Sequence, residues 1–424
     1  MKTHSDWLLR ELPHLVASGV LDAAAAERLR AHYAARADGR NRWGRVLFPV
    51  LGGLLIGLGS ILLVAHNWDD WPRSTRLGLA LTPLLLGQLA CVWMVLEAPL
   101  SRAWREASAA FTALAFAAAL ALVGQVYHFA GDLDRFLLTC ALATLPLVYI
   151  LDASLAAMLC AGAFTAWAYV MPDPEAPVWM VLVLFALLLP HAGHVMRRDA
   201  DGLRSVALNA VLIPAFFAAI LAGFPNVPRL VLWWLAEAGA ILVMLEALRE
   251  TRAPLWRRPV VLYGGGAVAV AALVGSFPEI WRGWSWYLRP QQLPMVWALL
   301  TAGLAWLVVL SFRAWRRGHW LAAMQAFPAV VMALAAPIDS RAPAMALAAL
   351  LSAYLLVLGL GTFRAGVRHR DAGLATRGLV LIALLVLLRF VDAEWSFTAR
   401  GIAFVVTGMF FTVATLWLRR RMQG

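Results

Sequence analysis

Three places along this 424-residue chain set a basic or imidazole group beside a carboxylate at the edge of a long apolar block. The first reads Leu63-Val64-Ala65-His66-Asn67-Trp68-Asp69-Asp70-Trp71. The second reads Gly124-Gln125-Val126-Tyr127-His128-Phe129-Ala130-Gly131-Asp132, and the third Leu388-Arg389-Phe390-Val391-Asp392-Ala393-Glu394-Trp395. In each the carboxylate follows by about one helical turn. Polar groups at such positions are costly in lipid and are the first candidates for function. If His66, His128 and Arg389 converge, with Asn67, Asp69, Gln125, Tyr127, Asp132 and Asp392 beside them, they form one outward-facing pocket for an anionic or polar group. The plainer alternative is that each pair ends its own helix at the headgroups.

Glu237 is different, because it sits inside an apolar block, about eight residues or roughly 12 Å from its outer end. It is a candidate proton-coupling or substrate-pairing acid; the competing account is a hydrogen bond to a neighbouring helix. Gln88, Asn209 and Gln325 read as interhelical links. His191 and His194 share a helix face, but a metal needs more ligands, and no Cys, Glu or third His is near in sequence. No metal site and no cofactor are expected. Cys91, Cys140 and Cys160 lie in apolar blocks without paired spacing and read as small buried side chains. There is no Ser-His-Asp ordering, no P-loop, no Cys-His pairing and no His-Glu-x-x-His, so no catalytic residue is assigned.

The elements that carry these residues are long and apolar. The chain is 62% hydrophobic and only 14% charged, with a mean hydropathy of +0.75, too little polar surface for a soluble domain. Its apolar blocks are about the length that crosses roughly 30 Å of hydrocarbon. The blocks predict fourteen spans: 46–66, 77–97, 107–128, 136–151, 153–171, 177–196, 205–222, 229–248, 259–277, 293–313, 320–336, 343–362, 375–391 and 398–418. The pair 136–151 and 153–171, split by Asp152, also fits a re-entrant pair. The expected fold is therefore all-α, a polytopic transmembrane helix bundle over 46–424. Residues 1–45 precede it as a cationic amphipathic hairpin. There, Ser5 or Asp6 caps a first helix that Pro13 shortens or kinks, Gly19 stops it, and Asp22 caps a second running through Ala26, Leu29 and Tyr33. No h-region precedes 46–66, so that span does the targeting.

Charge gives the orientation. The net charge is +12, which in a soluble protein would suggest nucleic acid, but the Arg residues sit at alternate loops. With the N-terminus inside, about 27 of the 36 Lys and Arg fall on the inner side, as the positive-inside rule requires. Both termini are thus expected in the cytoplasm of a bacterial inner membrane, with the lipid bilayer and a membrane-protein partner as contacts and no nucleic acid. Trp68, Trp71, Trp281, Trp284, Trp286 and Trp395 form one predicted aromatic belt, and Trp43, Trp104, Trp256, Trp315, Trp320 and Trp417 the other. Gly53-x-x-x-Gly57 and Gly59 in the first span suit close helix approach.

The stretch Ala65-His66-Asn67-Trp68-Asp69 after a Gly-rich span, then Gly124-Gln125-Val126-Tyr127-His128 and Gly131-Asp132, resembles the bacterial membrane proteins grouped as domain of unknown function 2157. The resemblance covers about residues 5–160. Arg389, Asp392 and Thr398-Ala399-Arg400-Gly401 are similar to the ends of related proteins. The resemblance implies class and location, and marks His66, Asn67, Asp69, Gln125, His128 and Asp132 as positions to watch. Three functions fit: transport or flipping of a polar or lipid-linked envelope compound, a non-catalytic envelope scaffold or sensor subunit, and an intramembrane enzyme using a His/Asp cluster.

Overall fold

A computed structural model of the chain describes residues 4–29, 71–96, 102–129, 131–171, 178–223, 228–249, 254–282, 293–335 and 344–392, with isolated positions 405, 408, 409 and 412. Among the described residues every regular element is helical. The chain divides into two compact units, Met1–Leu79 and Ala80–Gly424.

In the first unit, α1 (His4–Ala17) ends in a Schellman arrangement. The amide of Val20 donates to Leu15 O (3.1 Å) and that of Gly19 to Val16 O (3.1 Å), with Gly19 at φ 71° where a side chain would be strained. Residues 23–29 are helical again after Asp22. The expected second helix is described only over 23–29, with Tyr33 outside the described residues, and the expected first cap does not form. Ser5 and Asp6 lie inside α1, and Pro13 sits within it without ending it. The predicted His66, Asn67, Asp69 and the Gly53/Gly57/Gly59 stretch lie outside the described residues.

The remaining helices are α2 (Arg73–Leu96), α3 (Arg102–Tyr127), α4 (Leu133–Ile150), α5 (Ser154–Val170), α6 (Val178–Ala186), α7 (Leu189–Arg198), α8 (Leu203–Gly223), α9 (Pro228–Ala247), α10 (Pro259–Gly275), α11 (Glu279–Arg282), α12 (Leu293–Arg316), α13 (Trp320–Ala323), α14 (Phe327–Ala335), α15 (Ala344–Arg368) and α16 (Ala372–Asp392). Apart from α11, which lies between two of them, they fall on the predicted segments from 77–97 to 375–391, with ends moved by a few residues. Eight are long and apolar enough to cross a membrane, and up to nine if the bent pair α6–α7 counts as one. Ser154–Val170, Pro259–Gly275 and Trp320–Ala335 are apolar but shorter. The expected count of fourteen therefore exceeds what length and composition support among the described residues. The segments 46–66 and 398–418 fall outside them, apart from single positions in the second.

Packing follows from small residues. α4 and α5 form an antiparallel hairpin about Leu151-Asp152-Ala153, with Asp152 at φ 52° and the amide of Ala153 bonded to Val148 O (3.1 Å). Asp is one of the few residues that tolerate this left-handed geometry. Ala156, Ala157, Cys160 and Ala161 on α5 are all fully buried, which lets α3, α4 and α8 come close around it. At the α9–α10 crossing a Cβ on Gly239 would stand 2.5 Å from Gly264 O, and one on Gly264 2.8 Å from Gly239 O. Only glycine fits both positions. α15 and α16 pair as a second hairpin.

The α6–α7 break bends the chain by 40°. Pro190 lacks an amide proton, which removes a bond to the preceding turn, and the Leu187 carbonyl at the break accepts the Tyr149 hydroxyl from α4. Along α2, Leu85, Leu86, Leu89 and Trp93 point outward from the fold, as side chains solvated by lipid do. Trp104, Trp315 and Trp320 are exposed, in keeping with an interfacial belt, but Trp281 is not: it is buried, and its indole N–H donates to Gly275 O (2.7 Å). It closes the end of α10 rather than standing in a belt.

Candidate functional site

Of the residues expected to form one pocket, those described make the following contacts. Gln125, Tyr127 and His128 are exposed at the end of α3, with His128 at φ 57° and Tyr127 stacked on Phe129 at 5.9 Å between ring centroids. Asp132 precedes α4 and pairs with Arg135 at 3.4 Å on the surface. Arg389 lies on α16, where its guanidinium donates to the Ser276 carbonyl and to Ser352 Oγ (3.0 Å) and stands 5.3 Å over the Phe277 ring. It thus ties α16 to the end of α10 and to α15. The side chain of Asp392 lies outside the described residues.

Glu237 is buried in α9 with Oε2 lacking a hydrogen-bond partner. A Cβ on Gly303 of α12 would overlap its Oε1, so the carboxyl is seated in a gap that glycine leaves open. Of the expected polar links, Gln325 accepts from the Tyr354 hydroxyl at 3.5 Å, whereas Asn209 bonds within its own helix, to Ser205 O (2.8 Å).

The densest polar cluster was not expected. It gathers at the end of the second unit where α3, α5 and α8 begin and α4 and α7 end. Both carboxylate oxygens of Glu106 accept amide protons at the start of α5, from Ser154 (2.9 Å) and Leu155 (2.7 Å). That satisfies two donors a helix leaves open and places a negative charge at its positive end. Arg204 stands 3.3 Å from Glu106 Oε1 and 3.0 Å from Asp152 Oδ2, and it also donates to the Asp152 carbonyl and to Ser154 Oγ (2.7 Å). Ser154 Oγ also lies 3.1 Å from His191 Nε2. His191 Nδ1 faces Asp152 Oδ1 at 3.5 Å; a carboxylate only accepts, so this pairing favours the proton on Nδ1 and leaves Nε2 to accept from the Ser154 hydroxyl. Burial alone would raise the pKa of Asp152, but the hydrogen bond and charge of Arg204, with smaller contributions from His191 and His194, hold it below its ordinary value.

Serine, imidazole and carboxylate thus lie in the order used for acyl transfer, although no such order exists along the chain. Chemistry of that kind also needs access and free donors for an oxyanion. Ser154 and His191 are almost fully buried, and the amides that could serve as donors are held by Glu106. The cluster therefore fastens five elements together. Beside it lies a cavity of about 420 Å³, lined by Arg105, Tyr149, Asp152, Pro190, His191, His194 and Arg198. The sequence carried one signal of this: Glu106, Asp152, His191 and Arg204 all fall at helix ends that the predicted topology puts on one side. No group of three or more His, Cys, Asp or Glu among the described residues is placed to hold a metal.

A second, apolar cavity of about 560 Å³ lies between α6, α7, α8, α9 and the start of α10, lined by residues such as Phe185, Leu212, Phe216 and Ile241. Asn209, Glu246 and Arg249 bring polar groups to its wall. Glu246 pairs with Arg249 and with Arg258, each at 3.4 Å.

Several long apolar helices joined by charged ends define a membrane protein with multiple helices of transmembrane type. The family model described as "Predicted membrane protein (DUF2157)" matches residues 13–157, and the resemblance read from the His66 and His128 stretches is borne out. No curated protein matches the chain, and no solved structure does.

Proposed function

We propose that this chain handles an amphiphilic, lipid-linked compound in a bacterial inner membrane, transporting or flipping it between leaflets. The apolar cavity between α6 and α10 carries the reading: it is large enough for hydrocarbon, and Glu246, Arg249 and Asn209 put charge and polarity on its wall. A solute transporter would need a polar interior, and this cavity is walled almost entirely by apolar side chains. The exposed Gln125, Tyr127, His128 and Asp132, with Arg389, are proposed as polar contacts on the outer side.

The same proposal includes fourteen spans with both termini in the cytoplasm. The Arg distribution supports it, as does the meeting of Glu106, Asp152, His191 and Arg204 from alternating helix ends at one end of the unit. A hairpin in which α4 and α5 both cross supports the even count. Helices of 18 and 17 residues run roughly 26 Å at 1.5 Å per residue, close to the hydrocarbon thickness.

Reconstituted vesicles test the function. The full-length protein should speed transfer of a fluorescent lipid-linked saccharide between leaflets, and Ala238→Trp, which fills the cavity, should abolish that gain. Transfer no faster than in protein-free vesicles would refute transport and favour the second reading, a non-catalytic scaffold or sensor. That reading has its own support in the continuous apolar core running from α2 through α15.

A further inference from the structure

We propose that the polar cavity at the α3/α4/α7 end is a binding site for a phosphate group, carried either by free phosphate or by a lipid headgroup. α7 divides this site from the apolar cavity. It turns Leu189, Ala192, Gly193 and Met196 toward the apolar side and His191, His194 and Arg198 toward the polar one. The site stands independently of the transport reading.

Charge argues for an anion. Arg198 and Arg204 pair with the carboxylates of Glu106 and Asp152, and Arg105 lines the same cavity, so these five groups carry an excess of one positive charge before either imidazole takes a proton. The carboxylates are already used. Glu106 holds the first amides of α5. Asp152 has Arg204 at 3.0 Å and Arg198 at 3.8 Å from Oδ2, and His191 at 3.5 Å from Oδ1. Arg198 is the weakest of these contacts, and its side chain is 60% exposed, so it can turn to a ligand without breaking the cluster. His194 lines the cavity and is exposed. The Arg198 guanidinium and the His194 imidazole both face this cavity, which Arg105 also lines, and Arg pairs with phosphate through two parallel bonds. Tyr149 does not compete, since its hydroxyl is committed to Leu187.

Binding is measured on the full-length protein in uncharged detergent and phosphate-free buffer, using inorganic phosphate in one arm. In the other arm, the protein in phosphatidylcholine nanodiscs with or without phosphatidic acid is compared. Binding of inorganic phosphate identifies a free-anion site, and binding of phosphatidic acid alone identifies a headgroup site; either supports the proposal. Arg198→Gln and His194→Gln should each weaken binding by about tenfold, the loss expected for one charge-assisted hydrogen bond, with melting temperatures near that of the parent. Binding in neither arm overturns the proposal, as does binding that both variants leave unchanged or that acetate matches. Failure of lipid transfer with phosphate binding intact would remove the transport reading and leave this site standing.

Discussion

Arg204 Nη1 lies 3.0 Å from Asp152 Oδ2 across 52 residues of chain, and its Nε lies 3.3 Å from Glu106 Oε1. One guanidinium thus locks the start of α8 to the α4–α5 turn and to α3. The side chains of Arg204 and Glu106 are only 16% and 14% exposed, so neither partner is easily compensated by water.

Arg204→Met should therefore destabilise the protein by roughly 2–4 kcal/mol, a little below the range for fully buried pairs because Asp152 keeps some exposure. Asp152→Asn in the same chain should recover part of the loss, since it removes one of the stranded carboxylates. Thermal melts of the single and double variants in detergent decide it. Strict additivity would mean that the two residues do not act as a pair.

The same contact predicts an acid limit. A carboxylate whose folded pKa is depressed contributes stability that is present above its unfolded value, here 3.8, and lost as pH falls toward the folded value. Melting temperature should drop as pH falls below about 4 in the parent and drop less in Asp152→Asn. An equal drop in both would assign acid sensitivity to other groups.

Gly303 and Glu237 make a paired prediction in the α9–α12 contact. Gly303→Ala should cost about 1–3 kcal/mol through overpacking, because its Cβ would overlap the Glu237 carboxyl. In a Glu237→Ala background the cost should largely vanish. A penalty of the same size in both backgrounds would place the strain elsewhere.

Topology is open to cysteine labelling, helped by the burial of all three native cysteines. Single cysteines at Ser74 and Arg282 should react from outside intact cells, and cysteines at Asp201 and Arg317 only after the membrane is opened. Outside labelling at Arg317 would break the inferred alternation.

Much of this protein was legible in its sequence because membrane insertion depends on local quantities. The length of an apolar run such as 203–223, the Arg residues that flank its start and Gly19 after α1 each act within a turn or two of chain. The helices consequently appear where hydropathy puts them. Where local signals were weak, the readings failed: Ser5 and Asp6 lie within a helix instead of capping it, and Trp281 is drawn into the core by the Gly275 carbonyl. What only the tertiary structure decided is which helix ends become neighbours. Asp152 looked like a mere break between two short helices, and His191 like one of two histidines on a helix face with too few neighbours to hold a metal. Their roles come from Arg204, Glu106 and Ser154, which no spacing rule connects to them. A buried charge must find its partner wherever packing brings one, and packing here is set by small residues such as Ala157, Gly239 and Gly264, whose effect on neighbouring helices is not written in any single segment.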